Sequence, residues 1–448
     1  MRLLSGIKFV AYSAGVVCAE YVKYKCKYWI LRAFSRSVDQ QNQESECYNA
    51  MIKSIGTKFA ATNIYYIKMF QALAYSADFA ANDELVTYFR DYTDNVAFTD
   101  SEYSVSELAD ISEYAKTIGY ELSLSGVPAK SGSISLVFYG TICKLDQPPT
   151  PIVVKYLRAN MRERVVKSID DFKYLVWCLN KIPSLRYLHL NDIYNEQRVL
   201  MMDQLDFAKE AACIGEFYEN CKEMRCVTVP VAYPEFTAKF PNIIVMERIM
   251  GKTLDQLDDA VKDHYCHILA RGLVKTVFID GLYHCDLHPG NVIFRQGECE
   301  GDGDDTSKYR IGLLDFGIIG RITVEEQELT YQVFHSFLNN DADRVMSILI
   351  ESYTEPVDVS REYNRDEPEM NDVLLRYMRK MTETVVTCFS AENLCFINKQ
   401  LIKNNLKIAR SFTKFELSLS VCDNLCKKLA VNRSYLNHLT EIISDVFE

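Results

Sequence analysis

Apolar residues recur at helical spacing from Tyr48 to about Leu124, with few glycines and no proline, which predicts a helical module there. Strand-like runs begin only at residues 133–139 and 152–157, and Pro148, Pro149 and Pro151 separate them. The pattern returns to helix over 168–180 and around 206–211, and to a strand over 243–249. Two further apolar runs, 292–294 and 310–314, flank a Gly/Asp-rich tip at 297–308 and predict a β-hairpin. The stretch from Thr323 to Glu448 reads as helical, with no run long enough to span a bilayer. Helices segregated from a small set of strands make the fold class α+β.

The beginning of the chain has a different texture. Residues 3–19 are apolar apart from two serines, two glycines and Lys8, and Lys23, Lys25, Lys27, Arg32 and Arg36 follow, with Glu20 as the only acid. Three readings stay open: a membrane anchor or interfacial helix held by a basic flank, an organellar transit peptide, and an ordinary packed helix. Residues 37–47 are polar and Gln-rich and read as a linker.

The 448 residues suffice for two or three domains, and a net charge of −11 argues against a nucleic-acid surface. Fifteen cysteines are scattered without C-x-x-C pairs. Cys422 and Cys426 are the closest pair, and no His or Cys near them in sequence completes a zinc site, so the cysteines read as reduced core thiols.

The chemistry concentrates in His284-Cys285-Asp286-Leu287-His288-Pro289-Gly290-Asn291 and in Leu313-Leu314-Asp315-Phe316-Gly317. Phosphoryl transfer needs a carboxylate that orients the attacking oxygen, and oxygen donors that hold Mg²⁺ against the phosphates. Asp286 fits the first role, Asn291 and Asp315 the second, and the 292–314 hairpin is expected to bring the two metal ligands together. Lys155 ends an apolar strand in the manner of a phosphate-contacting lysine, with Glu210 as its expected partner on a helix. Lys130, Ser131, Gly132 and Ser133 form a candidate phosphate loop, and the backbone at Glu247 and Ile249 a candidate adenine hinge. The expected cofactors are ATP and Mg²⁺.

These motifs, taken in order with Lys68-Met69-Phe70-Gln71, resemble the UbiB (aarF-domain) family of atypical kinases over roughly residues 50–350. The resemblance implies a two-lobed protein-kinase-like fold with an N-terminal helical KxGQ-type extension, carrying Lys68 and Gln71 as regulatory residues. It also implies ATPase or kinase activity, a link to isoprenoid-lipid (ubiquinone-type) metabolism, and nucleotide and anionic or isoprenoid lipid as partners, with no nucleic acid. The expected organisation is an apolar/basic segment and linker at 1–47, the extension at 48–125, a small lobe with inserted helices at 126–253 and a helical large lobe at 254–448. The expected location is intracellular, on a mitochondrial or cytoplasmic-face membrane through the N-terminus. Three departures stand out: Phe70 where the family has glycine, one alanine in the phosphate loop, and Cys213 where the family has asparagine. A small-molecule phosphotransferase of the aminoglycoside or choline kinase type, and a non-catalytic nucleotide-sensing scaffold, remain as alternatives.

Overall fold

The structure, a computed structural model, describes residues 2–34, 40–67, 96–144, 147–181, 190–297, 308–339 and 341–356, with scattered positions at 85–88, 372–409 and 422–442. The chain divides into two compact units, each treated by itself below. The first takes Met1–Tyr75, Phe79–Phe207 and Glu235–Val245; the second takes Ser76–Asp78, Ala208–Pro234 and Met246–Glu448.

The first unit opens with two long helices, α1 (Arg2–Phe34) and α2 (Gln40–Thr62). Phe9, Ser13, Val16 and Glu20 are buried on α1, at the three- and four-residue steps that align one face of a helix. Phe9 packs on Tyr66 and Phe172, with ring centroids 5.7 and 6.2 Å away. Gly6 makes the close approach possible, because a Cβ there would lie 1.9 Å from the Tyr174 ring. Two hydroxyl bonds pin the helix: Ser5 Oγ donates to Asp171 Oδ1 (2.8 Å), and Ser13 Oγ lies 2.9 Å from Tyr66 Oη. Glu20 is buried between Lys23 and Lys58, and its bonds to Lys23 first and Lys58 second hold its carboxyl down at about 2. One face of the apolar start is therefore packed, while Leu4, Ile7, Val17, Val22, Trp29 and Ile30 stay exposed, and among the described residues no helix is long and apolar enough to cross a membrane. The expected linker at 37–47 is also corrected, since α2 begins at Gln40.

Helix α3 (Val105–Thr117) starts where Ser104 Oγ accepts the Glu107 N–H and ends at Gly119, whose φ of +81° turns the chain into a strand. That strand, β1 (Tyr120–Leu124), lies inside the stretch expected to be helical; β2 (Lys130–Ser131), β3 (Ser135–Lys144) and β4 (Thr150–Leu157) follow. With β5 (Ile243–Glu247) they form a five-stranded sheet of order β1-β3-β4-β5, β2 pairing with β3. Ile152, Val154 and Tyr156 face inward on β4 and Lys155 faces the other way, as a period of two requires. Between β4 and β5 come α4 (Met161–Leu179) and α5 (Leu190–Asp203), longer than the single helical stretch expected at 168–180.

In the second unit, α6 (Phe207–Cys221) precedes α7 (Asp259–Val274), which runs into a π-helical turn at Lys275–Ile279. Then come β6 (Leu282–His284), β7 (Val292–Gln296), β8 (Tyr309–Leu313) and β9 (Ile319–Arg321). β7 and β8 form the expected hairpin, and β6 pairs antiparallel with β9. Helices α8 (Val324–Leu338) and α9 (Ala342–Ser352) complete the well-described part. Cys266 on α7 lies fully buried beside Cys422 and Cys426, so the pair that looked isolated in sequence meets a third cysteine 160 residues upstream. Burial pushes the Cys426 thiol well up, which keeps it protonated.

Candidate active site

The loop 284–291 is built by short-range bonding. Pro289–Asn291 is a single 3₁₀ turn; His288 caps it by accepting the Gly290 N–H at Nδ1 (3.1 Å), and Pro289 occupies the first position, where no N–H is needed. The turn delivers Asn291 to the start of β7, and the hairpin register, with Val292 opposite Leu313, puts Leu314 beside it: the Leu314 N–H donates to Asn291 O (3.0 Å). Asn291 Nδ2 donates to Asp286 O (2.8 Å), which fixes the amide and leaves its oxygen to face a ligand. Asp315 Oδ1 accepts the Gly317 N–H (2.9 Å), which fixes the carboxylate the same way.

His284 joins the two halves. Its Nδ1 accepts the Asp286 N–H (3.1 Å), and its Nε2 bonds to the Asp315 carbonyl oxygen. A carbonyl only accepts and an N–H only donates, so the ring is the neutral tautomer with its proton on Nε2. Burial favours that state, depressing the imidazole pKa below its ordinary value of 6.5. Asp286 and Asp315 are thus held through one buried ring, and the Asp286 side chain, a third exposed, remains open to a substrate.

Mg²⁺ takes hard oxygen donors and is commonly held by one or two protein groups together with substrate phosphates. The fixed Asn291 amide and Asp315 carboxylate fit that donor set. Among the described residues no group of three or more His, Cys, Asp or Glu has the geometry of an all-protein metal site.

The other expected site residues fall out as follows. Lys155, in the first unit, stands opposite Val137 in the β3–β4 register, with Nζ 5.6 Å from the Phe207 ring centroid. Glu210, in the second, is buried in the first turn of α6. Lys130–Ser133 lies between β1 and β3 where a phosphate loop belongs, but Ser131 is already committed: its hydroxyl donates to Val96 O and accepts from buried Arg158. The Gly132 N–H donates to Ser135 O (2.9 Å), and Ser133 is buried, which leaves Lys130 as the exposed member. The Glu247 N–H donates to Val231 O (2.9 Å), so that donor is already engaged. The Ile249 side chain packs over Gly312, where a Cβ would lie 2.6 Å from its Cγ2. Lys68, Phe70 and Gln71 lie outside the described residues.

Several supporting residues escaped the sequence reading. His284 was seen only as part of a motif. Tyr283 is buried directly over Gly320, where a Cβ would fall 2.0 Å from its ring, so Gly320 is required by contact. Phe316 packs between Phe217 of α6 (5.2 Å) and His284 (5.7 Å). Thr323 and Glu326 form a capping box ahead of α8, a T-x-x-E signal legible in advance.

A sheet in one unit and a hairpin-borne HxDxxxxN and DFG pair in the other are features of the protein-kinase-like class. A family model described as the ABC1 atypical kinase-like domain matches residues 120–349, and the chain belongs to that family. It is 31% identical over 216 residues to "Probable protein kinase UbiB" of Glaesserella parasuis serovar 5, an alignment covering 46% of this chain and 37% of the relative. It is 27% identical over 240 residues to the protein of the same description in Vibrio vulnificus, covering 52% of this chain and 42% of the relative. The chain thus spans about two fifths of the length of these curated relatives. Among solved structures it is similar to one titled "The complex structure of Rv3197-erythromycin from Mycobacterium tuberculosis", at 15% identity and a TM-score of 0.47, with 73% of this chain and 80% of that chain covered.

Proposed function

We propose that the protein is a UbiB-like atypical kinase or ATPase that takes Mg-ATP and moves its γ-phosphoryl group. The observation that carries this reading is the buried His284 bridge, which holds Asp286 and Asp315 to one ring while leaving both carboxylates directed to other work. The Asp286 carboxylate would accept a hydrogen bond from the acceptor O–H, align its oxygen on the γ-phosphorus and take up the proton as the new P–O bond forms and the bond from the γ-phosphorus to the β,γ-bridging oxygen breaks, with ADP leaving. Asn291 and Asp315 would hold Mg²⁺, which when bound neutralises phosphate charge. Lys155 and Glu210 are assigned to the phosphates, as is Lys130, and the backbone of Glu247 and Ile249 to adenine. Lys68 and Gln71 are assigned a regulatory part.

The acceptor class we favour is a lipid or lipid-like metabolite of the isoprenoid kind, with membrane association reached through surfaces other than a spanning helix. Support for this comes from the UbiB resemblance and from the basic residues of α1. The domain assignment of 48–125 as extension, 126–253 as small lobe and 254–448 as large lobe is proposed on the same ground.

Thermal melts test the nucleotide site. Mg-ATP at about 100 times its dissociation constant should stabilise the fold by roughly 2.7 kcal/mol, and Asp315→Asn should abolish the Mg²⁺-dependent part. Asp286→Asn should keep that shift and lose turnover. Coincident melts with and without millimolar Mg-ATP would defeat the proposal.

A further inference from the structure

We infer that Arg321 is a positioning residue, clamping helix α6 to the strand pair that carries the catalytic loop; this rests on the reading just proposed for that loop. Arg321 closes β9, four residues beyond Gly317. Its guanidinium forks onto the carboxylate of Glu216 on α6, Nη1 donating to Oε1 (2.6 Å) and Nη2 to Oε2. The fork lowers the Glu216 pKa, and Cys213 lies one turn earlier on α6.

Both partners are more than a third exposed, and an ordinary surface ion pair contributes little to stability. Orientation is what the fork adds. A planar guanidinium bonded through two parallel N–H groups fixes its partner in rotation as well as distance, which a single-point contact does not. Apolar contact between Phe217 and Phe316 holds α6 near the DFG segment but allows it to roll. Arg321 grips Glu216, next to Phe217 on the helix, and stops the roll. The grip is transmitted, because Arg321 pairs with Leu282, Gly320 with Tyr283 and Ile319 with His284 across β9–β6. Tyr283 seated on Gly320 locks that strand pair, and His284 passes the position on to Asp286 and Asp315. The same α6 carries Glu210 in its first turn, so its rotation decides where that carboxylate points.

The test uses the purified full chain as Arg321→Ala, Glu216→Ala, Arg321→Lys and the swap Glu216→Arg/Arg321→Glu, with two readouts. Backbone hydrogen exchange over 208–221 and 282–291 should rise in both single alanine variants, fall back in the swap, and sit between for Arg321→Lys, which keeps charge without a fork. Turnover per folded molecule should drop about 3- to 30-fold in the alanine variants, the range expected for a residue coupling two elements, with KM for ATP nearly constant and recovery in the swap. Exchange changes confined to 319–321, or a folded swap no better than the single variants, would overturn the inference. Should the wild type turn over no Mg-ATP, the proposed function falls, and the exchange pattern alone still decides whether Arg321 clamps α6. If an alanine variant fails to fold, Arg321→Lys against wild type decides on the same two readouts.

Discussion

The segment from Leu282 to Arg321 and the segment from Arg2 to Ile67 are each tightly organised, yet by opposite means. In the first, partners lie close in sequence: Asn291 to Asp286, Gly317 to Asp315, Gly290 to His288. In the second, contacts jump across the chain: Ser5 to Asp171, Ser13 to Tyr66, Phe9 to Phe172. Local polar bonding leaves a spaced motif of special residues, whereas distant apolar packing leaves only an undirected hydrophobic stretch. A site can therefore be read from a string while a packed helical segment leaves its role open.

The sharpest way to break this contrast is to attack the packed seam. Phe9 is buried against two rings, and Phe9→Ala should cost about 3–5 kcal/mol, measured by urea unfolding. A cost near zero would mean that α1 does not dock in solution and would return the first 36 residues to a membrane role. Deleting residues 1–36 should likewise destabilise the first unit, because it bares Tyr66 and Phe172.

Next in size is the glycine seat of the site. Gly320→Ala drives a methyl into Tyr283, which is almost fully buried and has no room to swing away. Overpacking of this kind costs about 1–3 kcal/mol, and the damage should appear in turnover as well as in Tm. Gly6→Ala sets the same test for α1, where Tyr174 is only half-buried and can yield. The expected order is therefore Gly320 worse than Gly6, and the reverse order would contradict the rigidity assigned to the β6–β9 pair.

Acid should separate the two regions. His284 has a depressed pKa in the fold, so its contribution is complete above its ordinary value of 6.5 and drains as pH falls, because the unfolded chain takes the proton first. Glu20 is also depressed, to about 2 from 4.5, so its contribution is complete above about pH 4.5 and is lost on the way to pH 2. Exchange protection around Asp286 and Asp315 should begin to weaken below pH 6.5, while the α1 seam holds until below 4.5. Simultaneous loss near pH 4 would show that His284 is not the ring that joins the loops.

Legibility follows the same physics. The hairpin 292–313 and the α+β class were visible because turn residues and alternating runs bound them. β1 was missed because Tyr120-Glu121-Leu122-Ser123-Leu124 continues an apolar rhythm also compatible with a helix, although Gly119 with Lys116 in the preceding turn is a helix-stop signal that could have marked it. The candidate phosphate loop was credited with too many free groups, since nothing in Ser131 announces that Arg158 and Val96 claim it. The third buried cysteine at 266 is invisible to spacing rules, because 156 residues separate it from Cys422.

The smallest effects compare a local hydroxyl with a remote one. Thr323→Ala removes the cap whose Oγ1 accepts the Glu326 N–H (3.2 Å), and Ser13→Ala removes the partner of Tyr66 Oη at 2.9 Å, whose buried phenol is pushed up to about 12. Each should cost about 1 kcal/mol, so size alone will not tell them apart. A double-mutant cycle will. Ser13→Ala and Tyr66→Phe remove the two ends of one buried bond, so the pair should cost less than the sum of the singles by about 0.5–1.5 kcal/mol. Thr323→Ala combined with Tyr66→Phe, on elements with no shared partner, should add within about 0.5 kcal/mol. If Ser13 and Tyr66 prove additive, the hydroxyl bond 53 residues apart in sequence does not form, and α1 is held by Phe9, Ser5 and Glu20 without it.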